Sequence, residues 1–105
     1  AIKEQADLLC MIAPGHANAT RSRLARMLAE RAPGDLARVF FTNGGAEATE
    51  NAVRMAKLHT GRHKVLATYR SYHGGTHGSI TLTGEPRRWP SEPALPGALR
   101  TRQFR

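Results

Sequence analysis

Residues 37–68 constrain the fold most strongly. Ala37-Arg38-Val39-Phe40-Phe41-Thr42 is a short apolar run rich in strand formers, and Asn43-Gly44-Gly45 behind it is a turn signal. From Ala46 to Thr60 the positions Ala46, Ala52, Val53, Met55 and Ala56 recur at helical spacing. Gly61 stands where a helix stop belongs. His63–Thr68, centred on Val65-Leu66-Ala67, reads as a second strand. Strand, helix and strand within about 30 residues is the size of a βαβ unit. Such a unit makes two parallel strands joined by a right-handed crossover. Two parallel strands and three or four helices cannot cover both faces of a sheet. The chain therefore reads as an α/β piece that expects more sheet.

The flanks fit that reading. Residues 2–10 carry Ile2, Ala6 and Leu9 on one helical face before Pro14-Gly15 breaks the pattern. A second helix is expected from a cap at Asn18 or Thr20, with an apolar stripe of Leu24, Met27 and Leu28, ending at Pro33-Gly34-Asp35. After the second strand, Tyr69–Gly75 reads as a loop and Thr76–Thr83 as a short helix. Four of the six prolines lie between Pro86 and Pro96, which predicts an irregular, extended segment. Gly97–Arg105 shows neither helical nor strand periodicity.

Composition removes several classes of function. With 105 residues, the chain holds one small domain or part of a larger one. No apolar run approaches the ~20 residues of a membrane-spanning helix, and no secretory signal pattern is visible. The chain begins at Ala1 inside a helix-like pattern with no initiator Met, which leaves room for preceding residues. Its single cysteine, Cys10, excludes an internal disulfide framework and a cysteine-rich zinc site. It also points to a reducing, cytoplasmic setting. Cys10 follows Leu8-Leu9, and burial as a small hydrophobe is expected. The net charge of +8 raises the alternative of a small basic nucleic-acid-binding module. Against it, residues 1–20 carry −1, while 21–39, 40–84 and 85–105 carry +3 each, so no dense basic block forms. Charge spread in this way is ordinarily a solvated surface.

Two loops are suited to chemistry. Thr42-Asn43-Gly44-Gly45-Ala46-Glu47-Ala48 lies between a strand and a helix. Unpaired N–H groups and the helix dipole favour an anion there, and glycines let a phosphate approach the backbone. The pattern is neither the dinucleotide fingerprint nor a nucleotide P-loop. Tyr72-His73-Gly74-Gly75 follows the next strand. Ligands of open α/β sheets bind beyond the carboxyl ends of the strands, so both loops should face one crevice. Two histidine pairs, His59/His63 and His73/His77, have zinc-like spacing, but glycines interrupt each, and surface positions are expected instead of metal ligation. Glu47 and Glu50 fall in the first turns of the third helix, where compensation of the dipole is their expected role. Trp89 is expected to be a partly buried anchor for the proline-rich coil.

Phe40-Phe41-Thr42-Asn43-Gly44-Gly45-Ala46-Glu47-Ala48-Thr49-Glu50-Asn51-Ala52, with Tyr72-His73-Gly74 and Leu82-Thr83-Gly84, resembles the class III aminotransferases, pyridoxal-phosphate enzymes of fold type I. The likeness covers about Ala1 to Pro96. Pro14–Asn18 and Glu85–Pro90 are similar to the branch near the taurine– and β-alanine–pyruvate aminotransferases. The resemblance implies that residues 1–96 are part of the large cofactor-binding domain and that 97–105 form a divergent or disordered tail, as a truncated or frame-shifted reading frame would leave. It implies that Gly44, Gly45 and Ala46 cradle the pyridoxal 5′-phosphate phosphate, that Tyr72 stacks on the ring, and that His73 shapes the pocket. It implies a small-molecule ω-amino donor, a keto acid such as pyruvate, and a homodimeric full-length enzyme. The family's Schiff-base Lys and pyridine-nitrogen Asp lie downstream of the matched region. Among Lys3, Lys57 and Lys64 none matches the catalytic position, so no catalytic residue is assigned and the chain is expected to be inactive alone.

Overall fold

The computed structural model describes residues 1–102. They fall into two compact units divided between Phe40 and Phe41. In the first, helix α1 spans Ile2–Leu8 and α2 spans Ala19–Ala29. Asn18 caps α2 as expected, its Oδ1 accepting from the Arg21 N–H at 2.9 Å. Thr20 Oγ1 donates to Gln5 Oε1 at 2.9 Å and ties the two helices together. The apolar stripe of α2 stays half exposed, and neither helix buries a residue. Cys10, expected inside, is exposed. Its neighbours Leu8 and Leu9 are exposed too, so no apolar layer forms there to take the thiol.

The second unit contains α3 (Gly45–Thr60), β1 (Val65–Thr68), α4 (His77–Leu82), a 3-10 helix (Pro86–Ser91) and β2 (Ala98–Thr101). Helix α3 ends as its sequence predicts. Gly61 adopts the left-handed conformation at φ 66°, and its N–H donates to the Lys57 carbonyl. Strands β1 and β2 pair in parallel with Val65 opposite Ala98 and Thr68 opposite Thr101. Their crossover runs through α4 and the 3-10 helix.

Four expectations are corrected here. Residues 37–42 make no strand among the described residues, because an apolar β-forming run becomes a strand only where a neighbour completes its ladder. The parallel partner of Val65–Thr68 comes instead from Ala98–Thr101, which carries no periodicity of its own. Backbone ladder bonds hold it there, flanked by Val65 N–H to Gly97 O at 2.9 Å and Tyr69 N–H to Thr101 O at 3.0 Å. The rest of that expected irregular tail, residues 103–105, lies outside the described residues. Finally, Pro86–Ser91 is a 3-10 helix and not an extended coil. Proline in its first turn gives up no needed N–H, and Glu92 N–H closes the last turn on Trp89 O at 3.2 Å. Trp89 itself is 64% exposed and does not anchor that segment.

The core of this unit gathers around α4. Ser79, Ile80, Thr81, Leu82 and Thr83 are buried, as is Ala67 of β1. Three of these are polar, so their hydroxyls need partners. Ser79 Oγ donates to Ala46 O at 2.8 Å, Thr81 Oγ1 to His77 O at 2.8 Å, and Thr83 Oγ1 to Ser79 O at 3.3 Å. Thr81 and Thr83 also accept, from the N–H groups of Leu95 and His73. The carbonyls at the end of α4 are capped from β2, where the Arg100 guanidinium donates to Thr81 O and Thr83 O. Gly84 passes so close to β1 that an added Cβ would lie 2.1 Å from Thr68 O. On the strands, Leu66 and Leu99 remain exposed. A parallel pair with an uncovered face is unusual, since such sheets are normally covered on both sides.

Candidate functional site

Helix α3 opens at Gly44, and its first backbone bond is Ala48 N–H to Gly44 O at 3.0 Å. The N–H groups of Gly45, Ala46 and Glu47 therefore have no partner within the helix. Cβ atoms added at Gly44 or Gly45 would meet nothing within 4 Å, so the backbone there is open to a ligand. The turn is held from outside its mouth. Glu47 accepts from the Asn43 N–H at 3.0 Å and from Asn43 Nδ2 at 3.2 Å, while Thr42 Oγ1 donates to Gly44 O at 3.1 Å. Glu47 thus acts as expected at a helix N-terminus and also pins the preceding residue.

The second loop leaves the carboxyl end of β1. Arg70 takes a left-handed conformation at φ 61°, and Ser71 Oγ donates to Thr68 O at 2.5 Å. Arg70 N–H to Gly84 O at 3.1 Å and Gly84 N–H to Ser71 O at 2.9 Å lock the turn. Tyr72 is half exposed, and the Arg87 guanidinium carbon lies 3.8 Å from its ring centroid. Arg87 is in turn bonded to Glu85. His73 is held through its main chain, its N–H donating to Thr83 Oγ1 at 3.2 Å.

The two loops meet. Gly74, at φ 118°, packs directly on the first turn of α3, so that an added Cβ would lie 2.4 Å from Ala46 Cβ. Ser79 Oγ bonds the Ala46 carbonyl from the same side. Ala46 and the Tyr72-His73-Gly74 loop are thereby neighbours, although residues 37–42 form no strand beneath the first loop. Sequence reasoning missed how this junction is held. The Glu50 carboxylate, one turn along α3, accepts from Thr76 Oγ1, from Gly78 N–H at 2.9 Å and from Ser79 N–H at 3.2 Å. The Thr76 hydroxyl bond, above all, holds the Glu50 pKa below its ordinary value, with the two N–H groups and nearby His77 acting in the same direction against partial desolvation. The only hint in the sequence was Thr76 ahead of a short helix, whose first N–H groups would need an acceptor.

A separate hollow of about 480 Å³ lies between α3, β1 and the end of the crossover, lined by Val53, Leu58, Val65, Leu82, Leu95 and others. It does not include Gly44, Gly45 or Tyr72. Among the described residues, no three His, Cys, Asp or Glu side chains come together where a metal could sit. No helix among them is long and apolar enough to cross a membrane.

A helix start with unpaired N–H groups thus lies beside an aromatic loop at the carboxyl end of β1. The family model for aminotransferase class-III matches residues 1–103, so the match continues through β2, and the chain belongs to that family. These enzymes use pyridoxal phosphate. The chain is 44% identical over 93 residues to a probable aminotransferase of Mycobacterium tuberculosis, covering 82% of this chain and 20% of that protein. It is 40% identical over 97 residues to an acetylornithine aminotransferase of Methanopyrus kandleri, covering 91% and 25%. Among solved structures, the taurine:2-oxoglutarate aminotransferase of Bifidobacterium kashiwanohense, in complex with pyridoxal phosphate and glutamate, matches with a TM-score of 0.91 and 45% identity. That match covers 98% of this chain and 24% of the other. An ω-transaminase of Thermomicrobium roseum matches with a TM-score of 0.88 and 31% identity. The chain spans about a quarter of the length of these relatives. The fold is the expected one, an α/β portion of a fold type I enzyme.

Proposed function

We propose that this chain supplies part of the cofactor-binding large domain of a class III aminotransferase. The backbone N–H groups of Gly45 and Ala46 hold the cofactor phosphate, with Gly44 forming the turn. Tyr72 stacks on the pyridine ring, and His73 shapes the wall beside it. One observation carries this reading: Gly74 packs on Ala46, which sets the loop of the half-exposed Tyr72 next to an open helix N-terminus. The residues present suit the group, since the cradle is glycine backbone with free space above it. When bound, pyridoxal phosphate supplies the electron-accepting ring that amino-group transfer requires. This chain's own residues anchor the phosphate and orient the ring face.

The substrates we assign are an ω-amino donor and a keto acid such as pyruvate. The likeness to a taurine:2-oxoglutarate aminotransferase and an ω-transaminase supports the ω-amino donor and a keto-acid acceptor. We place the complete enzyme in the cytoplasm as a homodimer. Lys57 lies on α3 and Lys64 just before β1, neither at this site, which supports a chain that binds cofactor weakly and does not transaminate alone.

Titration of the chain with pyridoxal 5′-phosphate, followed by absorbance and equilibrium dialysis, tests the reading. Saturable binding should appear, be competed by inorganic phosphate, and weaken about tenfold in Tyr72→Ala, the scale of one lost aromatic contact. Binding that is unchanged in Tyr72→Ala and insensitive to phosphate would reject it. A steady transamination rate from the purified chain would reject the claim of inactivity.

A further inference from the structure

We propose that Glu50 is a positioning residue for the cofactor site, fixing the Tyr72 loop in register with the phosphate cradle without touching either ligand-facing surface. This rests on the function proposed above.

Glu50 sits on α3, the helix whose first turn forms the cradle. Its carboxylate receives three donors from one short stretch, Thr76 Oγ1, Gly78 N–H and Ser79 N–H. That stretch follows Gly74-Gly75 directly and contains Ser79, whose hydroxyl bonds Ala46 O. A rigid link therefore runs from α3 through Glu50 to residues 76–79, and back to the first turn of α3 through Ser79 and Gly74. Tyr72 lies two residues before Gly74. Hydrogen bonds to an ionised acceptor are the stronger kind, and three on one carboxylate fix its orientation. Gly78 shows how closely the fit is drawn, for a Cβ there would lie 2.8 Å from Glu50 Cδ. The charges near this carboxylate are His77 at the start of α4, and Arg54, Lys57 and His63 around the adjoining hollow.

The cradle amides belong to the backbone of α3 itself, whereas the Tyr72 loop reaches α3 through this link, so two probes separate its role from general stability. Inorganic phosphate reports the α3 amides alone, and pyridoxal 5′-phosphate reports cradle and ring together. Glu50→Gln keeps the size of the side chain but removes the charge. It should weaken pyridoxal phosphate binding roughly tenfold, the scale of a lost charged hydrogen bond, while phosphate binding changes less than about twofold. Hydrogen exchange at the Gly78 and Ser79 amides should accelerate by roughly tenfold or more in the same variant, with no cofactor present. Gly78→Ala supplies a second, independent perturbation. Alanine favours helix over glycine, so propensity alone predicts a gain. Displacement of the Glu50 carboxylate predicts the same loss of pyridoxal phosphate affinity and the same faster exchange.

Unchanged exchange at Gly78 and Ser79 in Glu50→Gln, or an equal loss of phosphate and pyridoxal phosphate affinity, would overturn the assignment. If the wild-type chain binds neither probe, the proposed function fails. The exchange data still decide whether Glu50 holds the loop. Amides at Gly78 and Ser79 that are unprotected in the wild type would overturn the role of Glu50 as well.

Discussion

Substituting Gly74 with Ala attacks the direct packing of the Tyr72 loop on the first turn of α3. Two costs arise. The backbone at φ 118° lies where side chains are strained, about 1–3 kcal/mol. The new methyl would stand 2.4 Å from Ala46 Cβ and 2.9 Å from Ala46 Cα, where carbon pairs settle near ~3.5–4 Å. The loop must retreat by about 1 Å, and overpacking of that kind costs about 1–3 kcal/mol. The sum, about 2–6 kcal/mol, is a large share of the about 5–15 kcal/mol that typically holds a domain. Ala46→Gly removes the nearer of the two clashes and leaves the strain. In Gly74→Ala/Ala46→Gly the loss should therefore be smaller than the two single losses added, by about 1 kcal/mol or more. Urea unfolding followed by far-UV circular dichroism, fitted for midpoint and slope in all four proteins, measures the cycle. Gly74→Ala with a wild-type midpoint, or a coupling of zero within error, would refute the packing described here.

Three further outcomes are expected. Asn18→Ala loses the α2 cap bond to Arg21 N–H and should cost about 1 kcal/mol, read as faster amide exchange along α2 with α3 unaffected. Gly61→Ala meets no neighbour within 4 Å, so only its left-handed conformation is penalised. A loss of about 1 kcal/mol should appear in the same unfolding assay. The pH dependence follows from Glu50, whose folded pKa lies below its ordinary 4.5. Its contribution is complete above the unfolded value and lost as pH falls through the lowered folded value. Between neutral and acid pH the wild type should lose stability that Glu50→Gln does not, and parallel acid-unfolding curves would contradict this.

Local signals were legible wherever a few adjacent residues decide the outcome. Asn18 capped its helix, Gly61 stopped α3, and Val65-Leu66-Ala67 entered a strand, because each depends on propensity or backbone freedom within one turn. The two candidate loops were singled out on the same local grounds. What failed was pairing at a distance. Phe40 and Phe41 have strand chemistry but no ladder, whereas Ala98-Leu99-Arg100-Thr101 has no pattern and gains one from β1. Glu50 was read as a dipole partner of its own helix. Its actual donors lie 26 to 29 residues away, and no local spacing reveals them. Cys10 and Trp89 were assigned inward positions from residue type alone, and their exposure reflects how little apolar cover surrounds them.

The β1–β2 ladder has a consequence for the order in which the chain acquires its shape. Val65 and Ala98 stand about 33 positions apart, and closing a loop of that size costs about 3 kcal/mol of chain entropy on the (3/2)RT ln n scaling. The backbone bonds of α2 and α3 close over only four residues and meet no such barrier. A growing chain can therefore complete α3, with its open N-terminus, long before residue 101 exists. The turn carrying Tyr72 gains its last supports only then, when Thr101 O accepts from Tyr69 N–H and Arg100 clasps the end of α4. On loop-closure grounds the helix start at Gly44 can form first, whereas the turn before Tyr72 waits for β2.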